Sequence, residues 1–258
     1  MAESVLIATV FLAGAAVGSF LNVVIFRGPA MWGLVEAPPR GDLVAPRSYC
    51  PACKAPLGFW NLVPLASYFL QRGRCAACGA PIAVRYPLVE LLAGMTAIIA
   101  LLLFGWTLSA LLAAVFAMAL IALAFIDFET GYLPDAITLP LIAFGLAANA
   151  FGVFSPAADA VIGAAAGFLV FWAIGAAYQR LRGRDGLGLG DAKLLAAIGA
   201  WTGWALLPFV IVIAAALTLA FAALRGLARS DEALPFGPGL CAAGFMALFF
   251  GEAILSVL

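Results

Sequence analysis

Histidine is absent from all 258 residues, and its absence excludes a good deal of chemistry. No Ser-His-Asp or Cys-His hydrolase can be assembled from this chain, and no His-ligated zinc protease. A hydrolase built on it must take its acid and base from carboxylates, lysine or tyrosine. Charge is also scarce. Only 10% of residues are charged, against about 25% in an ordinary soluble domain. Lys plus Arg balance Asp plus Glu at 13 each, and there is no basic run, acidic tail or low-complexity segment. Nothing points to a nucleic-acid partner.

What the chain has instead is apolar length. Hydrophobic residues make up 66% of it, more than a globular core absorbs but suited to membrane lipid. Eight apolar segments read as spans, roughly 4–26, 87–104, 107–126, 134–153, 157–178, 190–204, 205–224 and 237–257. The first lacks a positive leader region and is long enough to span, so it is expected to stay as a helix rather than be cleaved. Gly14/Gly18 and Gly163/Gly167 have the spacing of close helix packing.

Threading eight spans places Arg27, Arg40, Arg47, Lys54, Arg72, Arg74 and Arg85 after the first helix. Arg180, Arg182, Arg184 and Lys193 fall around the fifth-to-sixth connection, and Arg225 and Arg229 in the seventh-to-eighth. Every basic residue then lies on one side, which the positive-inside rule makes cytoplasmic. Both termini face the other way. The expected fold is an all-α integral membrane protein, a bundle of about eight transmembrane helices with a cytoplasmic zinc-knuckle-like loop domain. Residues 1–26 form the first helix, 27–86 the loop domain and 87–258 a seven-helix membrane domain.

Within the loop, Cys50-Pro51-Ala52-Cys53 and Cys75-Ala76-Ala77-Cys78 make a CxxC…CxxC pattern with 21 residues between the pairs. Four thiolates so spaced can close a tetrahedral zinc site, two from each tight turn. Disulfides are the alternative, but the cytoplasm keeps thiols reduced. A thioredoxin-like centre needs a single CxxC on a βαβ scaffold, which is missing. Cys241, alone in the last segment, reads as an inert buried thiol.

Acidic groups at membrane depth are costly and point to function. The candidates are Glu90, Asp127, Asp191 and Glu252. Asp127 closes the third span and Asp191 opens the sixth, so the topology puts both at the cytoplasmic ends of their helices. Two close carboxylates share a proton. The ionised one can activate water while the neutral one donates to a scissile carbonyl. Gly188 and Gly190, lacking Cβ atoms, would let a substrate backbone approach. The plainer readings are that Asp191 caps its helix and that Asp127 pairs with an arginine. Asp135, after Pro134, reads as a cap. Gly186, Gly188 and Gly190 do not form a dinucleotide fingerprint, since no strand precedes them.

Several segments then resemble one family in its own order. They are Gly18-Ser19-Phe20-Leu21-Asn22, the two CxxC pairs, Arg72-Gly73-Arg74-Cys75, Arg85-Tyr86-Pro87-Leu88-Val89-Glu90, the Asp127 segment through Leu133-Pro134-Asp135, Gly188-Leu189-Gly190-Asp191 with Lys193, and Pro235-Phe236-Gly237-Pro238. The chain resembles bacterial prepilin peptidases, aspartyl proteases of the GxGD type. The resemblance implies that Asp127 and Asp191 are the catalytic pair. It also implies that prepilins or type II secretion pseudopilins are cut on the cytoplasmic side, after a glycine that ends a short basic leader. It further implies N-methylation of the new terminus with S-adenosylmethionine. Residues 28–46 diverge from the family's usual pattern. Glu36, Asp42, Glu129, Asp185, Asp231 and Glu232 are the acidic groups available to attract a basic leader. Two other function classes compete: a proton-coupled transporter, and a non-enzymatic assembly subunit stapled by zinc.

Overall fold

The computed structural model describes residues 2–38, 40–183, 188–225 and 234–256. Arg184, Asp185, Gly186, Arg229, Asp231 and Glu232 lie outside the described residues. The described chain is helical, in the order α1 (Ala2–Met31), a 3-10 turn (Phe59–Leu62), α2 (Ala66–Leu70), α3 (Arg85–Phe104), α4 (Leu108–Thr130), α5 (Asp135–Ala150), α6 (Ala157–Arg182), α7 (Leu189–Thr202), α8 (Leu207–Leu224) and α9 (Gly237–Leu255). Among the described residues β pairing is confined to two isolated bridges, Tyr49 with Pro56 and Arg74 with Pro81.

Helices are what an apolar chain must form where no water is available, because each backbone N–H and C=O then bonds within its own segment. The eight apolar segments each correspond to a helix. Six of them, α1, α3, α4, α6, α8 and α9, are long and apolar enough to cross a membrane. The chain is therefore a multi-pass membrane protein. α5 and α7 are shorter, at 16 and 14 residues. α1 runs past the predicted end to Met31, carrying Pro29 within it.

The chain divides into two compact units, Met1–Ala122 and Leu123–Leu258. In the first, α1 packs along α3. A Cβ on Gly14 would lie 2.8 Å from Ala93 O, and one on Gly18 would lie 2.8 Å from Glu90 Cα. In the second, α7 is the centre, touched by α5, α6, α8 and α9. Gly163 meets the Gly199 backbone, and a Cβ on Gly167 would lie 2.7 Å from Leu195 O. Both small-residue pairs therefore serve helix packing. Residues Leu194 to Trp201 of α7 are all buried, the signature of a helix wrapped by protein on every face. Its end is fastened by side chains: Trp201 Nε1 donates to Leu141 O at 2.8 Å, and Asn149 Nδ2 to Ala200 O at 2.8 Å.

Candidate active site and metal centre

α4 delivers Asp127 in its last turn, just before Gly131 ends the helix at φ +71°. The side chain is buried at 5% exposure. Its Oδ2 accepts the backbone N–H of Gly237, the first residue of α9, at 3.0 Å. A Cβ on Gly237 would stand 2.6 Å from that same oxygen, so the contact requires glycine.

Asp191 sits in the first turn of α7, with Gly188 as the N-cap. It is therefore at the third helical position and not the cap itself. Its carboxyl reaches back to the Gly188 backbone, the return bond of a capping box. Asp127 and Asp191 lie within electrostatic reach of each other, and both reach the buried Cys241 thiol. Of the two glycines expected at the substrate approach, a Cβ on Gly188 would lie 3.4 Å from Asp191 Oδ2, whereas one on Gly190 would face Leu133 Cβ at 3.0 Å.

The remaining acids separate from this pair. Asp135 is the first residue of α5, following the cap Pro134. Its carboxylate accepts from Lys193 Nζ at 2.6 and 2.7 Å, which ties the start of α5 to α7. Glu90 lies in the other unit, where its Oε2 accepts the Leu65 N–H at 2.8 Å. Glu252 is exposed on α9.

In the loop the four cysteines converge, with ligand atoms all within 4.8 Å of one another and Cys50 Sγ 3.9 Å from Cys78 Sγ. A tetrahedral zinc with bonds of about 2.3 Å needs sulfurs about 3.8 Å apart, so the set fits such an ion. All five cysteines are free in this structure. The two halves share one backbone pattern. Cys50 N–H donates to Ala55 O and Lys54 N–H to Cys50 O; Cys75 N–H donates to Ala80 O and Gly79 N–H to Cys75 O. The residue after each pair is left-handed, Lys54 at φ +62° and Gly79 at φ +72°. The thiols share their protons unequally: the N–H groups of Cys78 and then Ala77 bring Cys75 down to about 7, while the neighbouring thiols and burial push Cys78 up to about 11.

The profile of the Bacterial Peptidase A24 N-terminal domain matches residues 12–104, and that of the type IV leader peptidase family matches residues 114–223. The chain belongs to the type IV leader peptidase family. A prepilin leader peptidase/N-methyltransferase of Burkholderia pseudomallei is 48% identical over 257 residues, covering 92% of this chain and 83% of that protein. The enzyme of the same name from Aeromonas hydrophila is 44% identical, covering 95% and 91%. That of Neisseria gonorrhoeae is 40% identical, covering 93% and 89%. No solved structure matches the chain.

Two members of the site are not apparent from chemistry alone. Gly237 carries no functional group, and its only sequence signal is its place in Pro235-Phe236-Gly237-Pro238. Cys241, one turn further along α9, is buried within electrostatic range of the two aspartates although it reads as an isolated thiol.

Proposed function

We propose that this protein is a membrane aspartyl endopeptidase that removes the basic leader from type IV prepilins or type II secretion pseudopilins at the cytoplasmic face of the inner membrane. The observation that carries the reading is the pairing of Asp127 and Asp191 in one unit, each held by a backbone glycine. One ionised carboxylate takes a proton from water, and its neutral partner donates to the carbonyl oxygen of the scissile bond. Gly237 fixes one oxygen of Asp127, which leaves the other for the water.

The transporter reading is weaker. Coupling sites lie near the bilayer midplane on broken helices, whereas Asp127 ends α4 and Asp191 opens α7. For the cysteines we propose zinc, held by Cys50, Cys53, Cys75 and Cys78 as a structural centre. For methyl transfer to the new N-terminus we propose S-adenosylmethionine as donor, following the relatives' name. The described residues of the 27–86 loop hold no strand-to-helix glycine turn of the dinucleotide-binding kind, so that cradle does not fit them. Glu36, Asp42 and Glu129 are exposed and offer weak, salt-screened attraction to a basic leader. The Ala45 and Val44 N–H groups hold the Asp42 carboxyl below its usual range, so it stays charged.

The test is co-expression with the prepilins of the same genome and mass spectrometry of their N-termini. Asp127→Asn and Asp191→Asn should each lower cleavage by about 10²–10⁴-fold while the protein still inserts and accumulates. Near-normal processing by either variant would remove that residue from the mechanism.

A further inference from the structure

The segment between the two cysteine pairs carries large apolar side chains that stand exposed among the described residues. Phe59 and Trp60 lie in the 3-10 turn, and Phe69 and Leu70 end α2, all between 71 and 83% exposed. The two turns are joined, since Gln71 Nε2 donates to Asn61 Oδ1 at 3.3 Å. Four exposed apolar side chains of this size in twelve residues are costly to leave in water.

Their position relative to α3 is set by one contact. Leu65, between the turns, has φ +59° and ψ −52°, and Ala66 N–H returns to Pro64 O at 2.6 Å. This is the strained γ-turn that ordinary residues avoid. It aims the Leu65 N–H at Glu90 Oε2, 2.8 Å away, and the Ser19 side chain binds the same carboxylate. Glu90 is five residues beyond Arg85, the first residue of the 20-residue helix α3. Five residues are about 7.5 Å, and the whole helix about 30 Å, the thickness of a hydrocarbon core. The Leu65 turn is therefore held against the first quarter of α3. Along the same part of α3, Leu88, Leu91, Leu92 and Met95 are exposed.

Charge agrees with this placement. From Leu43 to Val89 there is no Asp or Glu, while Arg47, Lys54, Arg72, Arg74 and Arg85 are all present. The stretch stays positive even after subtracting the two negative charges that a divalent ion with four thiolates leaves. Anionic headgroups attract such residues near the surface, whereas a basic leader would be repelled.

We propose that residues 59–70 are an interfacial anchor: Phe59, Trp60, Phe69 and Leu70 insert at headgroup level and seat the cysteine loop on the membrane. Aromatic side chains are the ones a bilayer interface selects. The Glu90–Leu65 bond sets the depth. The anchor limits the loop's motion to the membrane plane, where the start of a membrane-held substrate is also confined.

The experiment uses the full-length protein in phosphatidylcholine/phosphatidylglycerol vesicles. The emission of Trp60 is taken as the difference between wild type and Trp60→Phe. It should be blue-shifted, lost with lipids brominated near the headgroup, and spared by aqueous acrylamide. A photoreactive benzophenone residue in place of Phe69 should crosslink to lipid. Trp60 emission that acrylamide removes and bromolipid does not would overturn the proposal. So would crosslinking of position 69 to a second copy or to a co-reconstituted prepilin in place of lipid. Cleavage by the Trp60→Phe protein is read in parallel and does not bear on the anchor, so the two readings fail separately.

Discussion

Gly237 donates its backbone N–H to Asp127 Oδ2 at 3.0 Å, joining α9 to α4 across 110 residues of chain. The bond fixes the carboxylate and closes off one of its oxygens. A methyl group at 237 would stand 2.6 Å from Oδ2 and 2.8 Å from Cγ, so Gly237→Ala must push the two apart. A hydrogen bond to a charged group is worth about 1.5–3 kcal/mol, and each 1.4 kcal/mol is about tenfold in rate. Gly237→Ala should therefore lower kcat/KM for leader cleavage by about 10- to 100-fold. Metal content should be unchanged, since the cysteines belong to the other unit. A wild-type rate in this variant would show that the contact does not shape the dyad.

Asp135 lies close to the dyad in sequence yet is committed elsewhere, to Lys193. The pair is about half exposed on the Asp135 side, and such pairs contribute only about 0–1 kcal/mol. Asp135→Asn should keep cleavage within about tenfold of wild type, in contrast to the 10²–10⁴-fold losses at Asp127 and Asp191. Exchanging the charges, Asp135→Lys with Lys193→Asp, should recover more activity than Lys193→Asp alone. If Asp135→Asn is as inactive as Asp127→Asn, Asp135 takes part in the chemistry.

The purified protein should carry about one zinc per chain, as a four-thiolate site demands. Cys50→Ser with Cys53→Ser should release it and open the loop to proteolysis. Lys54 occupies the left-handed seat that Gly79 fills in the other half, at a cost of about 1–2 kcal/mol for a residue with a Cβ. Its ammonium lies 5.1 Å from the Tyr49 ring, a contact worth about 0.5–1 kcal/mol when exposed. The strain is the larger quantity, so Lys54→Gly should hold zinc against a chelator at least as long as wild type. Faster loss would mean the Tyr49 contact outweighs the strain.

Much of this was legible because scarcity is informative. In a histidine-free, apolar chain the few acids stand out, and so do two CxxC pairs in a basic loop. The matching backbone of the two knuckles was hidden, because their shared hydrogen-bond pattern needs only a left-handed residue, which is lysine in one and glycine in the other. Gly237 was hidden because a close approach has no local signature. α7 reads as a span from its apolar run, and an even apolar run does not reveal whether lipid or protein surrounds it. Asn149 has no local signature either. It is a buried amide whose Nδ2 meets Ala200 O and Trp201 O and whose Oδ1 receives Phe154 N–H and Ser155 N–H, so it locks the turn after α5 to the end of α7.

The shortness of α5 and α7 raises the question of whether they cross the membrane at all. At 16 and 14 residues they are only about 24 and 21 Å long. If neither crossed, Asp127 at the end of α4 and Asp191 at the start of α7 would sit on opposite faces, because α6 alone would separate them. The Lys193–Asp135 ion pair at 2.6 Å holds the start of α7 beside the start of α5, which requires α5 to lead away and α6 to return. The same non-crossing path would carry Arg180 and Arg182 to the far side, against the positive-inside bias. We therefore predict eight crossings, with α5 and α7 sheltered from lipid by their neighbours. Single cysteines at Pro156 and Arg225, in a background with the native cysteines replaced, distinguish the paths with an impermeant maleimide. Position 225 should react from the cytoplasmic side and position 156 only from the opposite side. Labelling of both from the cytoplasm would mean that α5 does not cross, and the shared-face placement of the two aspartates would fail with it.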